Sequence, residues 1–333
     1  MRKAFMSLVI LLLAAVVAAG SAAWWWLNRP LPLATPTVEL SIEPGELPRD
    51  IARGWVAAGV QTPAPLLYHW FRWSGKARKI RAGSYEITEG TTPRMLLLKM
   101  VQGDESLATV RLLEGWTFRQ FRVELARAEA LRPTTAAMSD AQIMAALGLP
   151  DVHPEGRFYP DTYAYSKGST DIAVLRRAMH AMQQRLAEAW EQRTPDTPLK
   201  AADDALTLAS IVEKETGREA DRALVGAVFT NRLRIGMPLQ TDPTVIYGLG
   251  ERFDGNLRKR DLQADGPYNT YLRPGLPPTP ISMPGKASLL AAVRPAPSKA
   301  LYFVARGDGS SEFSETLDAH NRAVNKYQRG QGK

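Results

Sequence analysis

At 333 residues the chain is too long for one small domain, and 45% hydrophobic with 23% charged residues excludes disorder over most of its length. It contains no cysteine, which rules out disulfides, thiolate nucleophiles and cysteine-ligated metals. A formal charge of +8 points to an acidic partner. Nucleic acid is disfavoured, because there is no basic stripe interleaved with aromatics, no zinc pattern and no glycine-rich phosphate loop. Anionic lipid or an anionic cell-wall polymer fits the charge as well.

After Arg2 and Lys3, residues 4–27 carry no charge and exceed the roughly 20 residues that cross a bilayer as a helix. The positive charges before this segment and Trp24, Trp25 and Trp26 at its end predict a cytoplasmic N-terminus (residues 1–3) and an interfacial aromatic belt. Ser21, Ala22 and Ala23 offer the rival reading of a signal-peptide cleavage site. The length of the apolar run and the tryptophans favour an uncleaved membrane anchor, with the rest of the chain exported. Residues 28–37, NRPLPLATPT, hold three prolines and predict an extended spacer.

A small mixed domain is expected over residues 38–113. Residues 38–42 alternate like a strand, and residues 47–58 have helical spacing closed by Gly59. A second helix over 64–73 carries Tyr68, Trp70, Phe71 and Trp73, readable as core and wall or as a carbohydrate platform. Residues 81–87 alternate again, and 92–101 open with Thr-Pro-Arg, a cap followed by a first-turn proline. A strand over 107–113 closes the unit.

The larger region, residues 114–333, predicts helices near 118–130, from Ser139 onward, over 170–193 and over 219–233. Between the first two pairs lies an aromatic and proline-containing loop, PEGRFYPDTYAY (residues 154–165). The last hundred residues are rich in proline and glycine, with strand-like islands at 301–305 and 311–314. The overall class is α+β.

The stretch SIVEKETG (residues 210–217) follows an apolar run and continues its helix. At about 100° per residue, Glu213 and Glu215 fall on different faces. Leu208, Ile211, Val212 and Glu215 share the i, i+3, i+4, i+7 stripe of a buried face, whereas Glu213 lies on the side of Leu206 and Ala209. A carboxylate that continues an apolar stripe is costly unless paired or protonated, which makes Glu215 a candidate general acid. The plain alternative is that Glu215 emerges at the helix end and meets solvent or Arg218. Downstream, LQTDPTVIYG (239–248) and PYNTYLRPGLPPTPI (267–281) place aromatics beside amide and hydroxyl groups, the mixture that sugar rings need. Such residues also build turns. His69, His153 and His180 show no metal-ligand spacing.

These segments, with NRLRIGMPLQTDPTVIYGLG and the terminal FSETLDAHN, resemble the MltG/YceG-like endolytic murein transglycosylases, and the likeness extends from Arg2 to Tyr327. The resemblance implies an anchored protein with a LysM-like small domain and a larger mixed α+β catalytic domain facing the periplasm. It implies cleavage of peptidoglycan between N-acetylmuramic acid and N-acetylglucosamine, leaving 1,6-anhydro-muramic ends without metal or cofactor. It places the catalytic role on Glu215, and Gln240, Asp242, Tyr247, Tyr268, Asn269 and Tyr271 around the substrate. Asp242 is either a supporting partner or an Asp-Pro turn former, Glu213 a structural residue, and His320 a packing or supporting one. Arg157 departs from the family pattern, where an apolar or aromatic residue is commoner. Penicillin-binding proteins are the partners that the family's place near wall synthesis implies. A wall-binding scaffold without catalysis and a water-using muramidase are the alternative functions.

Overall fold

The structure, a computed structural model, describes residues 2–329. It is a mixed α+β chain of two compact units, Met1–Ala108 with Ala164–Ser169, and Thr109–Tyr163 with Thr170–Lys333.

The first unit begins with α1 (Arg2–Leu27), long and apolar enough to cross a bilayer. Strands β1 (Thr37–Ile42) and β2 (Gly83–Thr88) pair antiparallel, with Val38 opposite Ile87 and Leu40 opposite Tyr85. Between them lie α2 (Pro48–Ala58) and α3 (Ala64–Trp73), and α4 (Pro93–Gln102) follows β2. The sequence chooses these ends locally. Thr92 accepts a hydrogen bond from the Met95 amide at 3.2 Å ahead of Pro93, and Gly103 ends α4 in the left-handed region at φ 73°. Trp55, Phe71, Tyr85, Leu67, Leu96 and Leu97 fill the core.

One expectation changes here. Residues 28–37 are packed onto the unit, not a free spacer: Leu31 is buried, and the Leu31 and Ala34 amides donate to the carbonyls of Thr91 and Gly59, both at 2.8 Å. The reason is apolar content, since a leucine among the prolines finds a place in the core. The aromatic cluster of α3 divides: Phe71 is core, Trp70 donates its ring N–H to the Pro93 carbonyl at 3.0 Å, and Trp73 is exposed and stacked on His69.

The chain passes out of this unit along β3 (Leu107–Arg111) and re-enters it along β4 (Thr162–Ser166). The second unit starts with α5 (Phe118–Arg127) and α6 (Asp140–Ala146). Each opens on a reciprocal capping box, Thr117 with Gln120 and Ser139 with Gln142. Then come α7 (Asp171–Glu191), α8 (Ala202–Glu215) and α9 (Glu219–Arg234), with α10 (Asp242–Leu249), α11 (Lys259–Gln263) and α12 (Lys286–Val293) after them. The antiparallel hairpin of β5 (Tyr302–Ala305) and β6 (Ser311–Ser314) precedes α13 (Leu317–Val324).

Four of these helices, α10 to α13, interrupt a region read as rich in proline and glycine with strand-like islands. α10 starts at Asp242-Pro243, and proline at a first turn sacrifices only an N–H that has no intrahelical partner. α12 reads KASLLAAV, with no amphipathic period, because it is buried on nearly every side between α8 and α9. A Cβ on Gly226 of α9 would sit 2.4 Å from the Ala291 carbonyl oxygen, so the two helices meet backbone to backbone. α13 takes its start from Thr316, whose hydroxyl accepts from the Ala319 amide.

α8 is likewise buried on all sides from Ala205 to Val212, so no single apolar stripe distinguishes its two terminal glutamates. Arg157, the departure from the family pattern, forks onto Asp203 in the first turn of α8 at 2.7 and 2.8 Å.

Candidate active site

Helix α8 delivers Glu213 and Glu215 to different surroundings. The Glu213 side chain is only 7% exposed; it accepts from the Gly285 amide at 2.9 Å and lies 3.9 Å from Arg222. Ser210, one turn earlier, accepts from the Ile281 amide at 3.0 Å, and its carbonyl takes the Ser282 hydroxyl at 3.1 Å. The final turns of α8 are therefore fastened to the segment 281–285 through Ser210 and Glu213. Glu213 is buried like its neighbour but engaged in the framework.

Glu215, the last residue of the helix, lines a cleft of about 530 Å³ together with Gln240, Asp242, Tyr271, Arg232 and His320. Among the described residues its carboxylate takes one hydrogen bond, from the Thr241 hydroxyl to Oε1. Burial raises its pKa, and the nearby Asp242 carboxylate pushes the same way. The Thr241 hydrogen bond and the Arg232 guanidinium act against this. The helix C-terminus, where free carbonyls gather negative charge, also disfavours an ionised side chain.

Thr241 itself is rigid. Its amide donates to the Thr270 hydroxyl at 3.1 Å, its carbonyl accepts from the Thr244 hydroxyl at 2.8 Å, and those two hydroxyls are 2.9 Å apart. All three threonines are buried. Gln240, just before, occupies the left-handed region at φ 49° and donates its amide to the Thr270 carbonyl at 3.0 Å. The strained turn presents its side chain at the cleft. Tyr271 donates to Asp242 Oδ1 at 2.5 Å. Arg232 is 7% exposed and anchored through the carbonyls of Leu301 and Leu239, both at 2.7 Å. His320 stacks on Tyr302 with ring centres 5.2 Å apart, and burial lowers its pKa.

Of the six residues expected around the substrate, Gln240, Asp242 and Tyr271 share the cleft with Glu215. Asn269 is 3% exposed, and its amide group donates to the carbonyls of Leu262 and Ala264 at 3.0 and 2.7 Å, so it shapes the turn between the flanking tyrosines. Tyr247 and Tyr268 line a different and larger cavity, about 970 Å³, that does not include Glu215. There the Tyr247 hydroxyl donates to Glu155 Oε2 at 3.1 Å, and the Phe118 amide donates to Oε1 at 3.0 Å. Burial lifts the Glu155 carboxyl to about 7 against the opposing pull of these two hydrogen bonds. Sequence reasoning noted Thr241 only as one of several polar residues in its loop, and missed Arg232 and Glu155. Pattern offered little to find Glu155, since its significance arises from burial that a turn-rich stretch does not advertise.

A buried carboxyl group with a raised pKa at a polar cleft on a mixed α+β unit has the features of an acid–base site. Comparison places the chain more narrowly: a model of the YceG-like family matches residues 40–326, and the chain belongs to that family. A Bacillus subtilis protein named endolytic murein transglycosylase is 31% identical over 308 residues, covering 87% of this chain and 85% of its own. A Streptococcus pneumoniae protein of the same name is 27% identical over 278 residues, and the match spans 50% of that longer chain. A crystal structure of a YceG-like protein from Listeria monocytogenes superposes with a TM-score of 0.53 at 29% identity, covering 86% of this chain and 98% of that one.

Proposed function

We propose that this protein is a membrane-anchored endolytic murein transglycosylase that works through Glu215. The observation that carries the reading is a carboxyl group raised by burial, placed at a cleft and held by one rigid hydroxyl donor. Protonated Glu215 gives its proton to the glycosidic oxygen, and the bond between that oxygen and the anomeric carbon of N-acetylmuramic acid breaks. The resulting carboxylate accepts the proton of the C6 hydroxyl of the same sugar as that oxygen attacks the anomeric carbon. The proton returns to Glu215, and the product is the 1,6-anhydro ring with no water consumed.

One carboxylate suffices for this sequence, whereas a retaining hydrolase needs a second as nucleophile and an inverting one needs a second as base. The Thr241 hydroxyl steadies Glu215 in its ionised state, and burial with the Asp242 charge favours return of the proton. Gln240, Asp242 and Tyr271 supply hydrogen-bonding groups to the sugars in the cleft. The positive charge of the chain suits an anionic wall polymer. In this reading α1 is the inner-membrane anchor with its N-terminus in the cytoplasm. The two helices enclosed by the β1–β2 pair form a LysM-like unit that holds glycan in the periplasm.

The test is the product spectrum from purified glycan strands. Anhydro-muramic ends support the proposal; products heavier by one water would show a muramidase instead. Glu215→Gln should abolish cleavage while the protein keeps its fold, and full activity in that variant removes Glu215 from the mechanism.

A further inference from the structure

The larger cavity lies at the other end of the two segments that build the cleft. Helix α10 starts with Asp242 at the cleft and brings Tyr247 to the cavity five residues later, about 7.5 Å along the helix axis. The turn 268–271 does the same: Tyr271 borders the cleft and Tyr268 the cavity. One pair of segments thus spans both spaces, and a linear polymer held at one has the other within a few sugar lengths. The cavity walls combine flat rings from Trp116, Tyr247 and Phe253 with polar groups from His153 and Arg119. That combination suits pyranose rings, which offer apolar faces for stacking and equatorial hydroxyls for hydrogen bonds.

The walls are also fixed in advance. Tyr247 is tethered to Glu155, the Tyr268 hydroxyl is 2.7 Å from Thr279, and the two rings meet edge to face with centres 5.0 Å apart. Glu155 is in turn held by the first amide of α5, so the helix carrying Arg119 and Val123 is tied to the same wall. Binding here would order few side chains, which favours affinity.

We propose that this cavity is a second saccharide subsite, gripping the glycan strand several sugars away from the bond cleaved at Glu215 and selecting long strands over short ones. The proposal rests on the glycan-cleaving reading above. The two fail separately in one experiment. Full-length protein carrying Glu215→Gln, which binds without turnover, is titrated with peptide-free glycan oligomers of two lengths, one able to fill the cleft alone and one reaching beyond it. The long oligomer should bind more tightly. Adding Trp116→Ala should weaken the long oligomer about tenfold, the cost of one lost stacking contact, and leave the short one unchanged.

Val123→Gln provides a second handle. Val123 is 44% exposed at the cavity lining, so the change spares the core, and its longer side chain should cost the long oligomer about threefold through partial occlusion. Equal affinity for the two lengths, or no response of the long oligomer to either change, overturns the subsite while leaving the cleft reading intact. Competition by free stem peptide at this cavity overturns it in favour of a peptide site. Absence of any glycan binding overturns both.

Discussion

Two cavities in the same unit each hold a carboxyl group raised by burial, and the difference between them is how many internal donors the carboxylate has. Glu155 has both oxygens engaged, by the Phe118 amide and the Tyr247 hydroxyl, and so serves as a fixed knot between α5 and α10. Glu215 takes one hydrogen bond among the described residues and otherwise borders open space. A group that exchanges protons with a substrate needs an oxygen free to meet it, which a fully tethered carboxyl lacks. A shifted pKa therefore marks both sites, and accessibility of the carboxylate separates the one suited to proton transfer from the one suited to shaping a wall.

The sharpest way to break this contrast is to remove each carboxylate in turn. Glu215→Gln should lower kcat by about 10²–10⁴-fold, the usual range for losing a general acid. Glu155→Gln should leave kcat on a short glycan within a few-fold, and a comparable collapse there would move the chemistry to the second cavity. The next effect is on stability. The Glu155 pKa is raised in the folded state, so its contribution is fully present below the unfolded value near 4.5 and is lost as pH rises through about 7. The loss amounts to about 3 kcal/mol at most. Denaturant midpoints measured from pH 5 to 8 should fall in the parent protein, and Glu155→Gln should flatten that part of the decline.

Thr241→Val then tests the single donor on Glu215. The Thr241 hydroxyl stabilises the ionised carboxylate, so its removal raises the pKa further and extends the protonated form to higher pH. The falling alkaline limb of kcat/KM should move upward in pH. Maximal turnover should drop about tenfold, because the carboxylate left after the first proton transfer loses its hydrogen bond. A limb that stays in place would mean that another group sets the profile.

The elements around these sites were legible wherever local chemistry was decisive. The Thr92 and Ser139 caps and the run of α3 follow directly from residue type and spacing. Legibility failed where burial overrode period. α12 and most of α8 are enclosed on all sides, so a stripe argument at α8 selected Glu215 over Glu213 on grounds the fold does not supply, since both side chains are buried. The real distinction is tertiary: one carboxylate meets the Gly285 amide and the other meets Thr241 at a cleft. In the same way, the tyrosines of the two signature segments looked alike in sequence and divide between two cavities in space. Helix α10 and the turn fixed by Asn269 decide which of them faces which.

The smallest effect is opposite in sign and for that reason informative. Asp242 lies near Glu215 and its charge adds to the upward pull of burial, after desolvation and with less weight than the Thr241 hydrogen bond. Asp242→Asn removes the charge but keeps a group able to accept from Tyr271, whose hydroxyl now meets Oδ1 at 2.5 Å. Glu215 then ionises at lower pH, and the alkaline limb of kcat/KM should move down, the reverse of Thr241→Val. Turnover on the acid side should fall only a few-fold if the Asp242 charge acts mainly through the Glu215 proton. A loss as large as that of Glu215→Gln, at every pH, would instead give Asp242 a direct part in the reaction. The one-carboxylate mechanism would then have to become a two-carboxylate one.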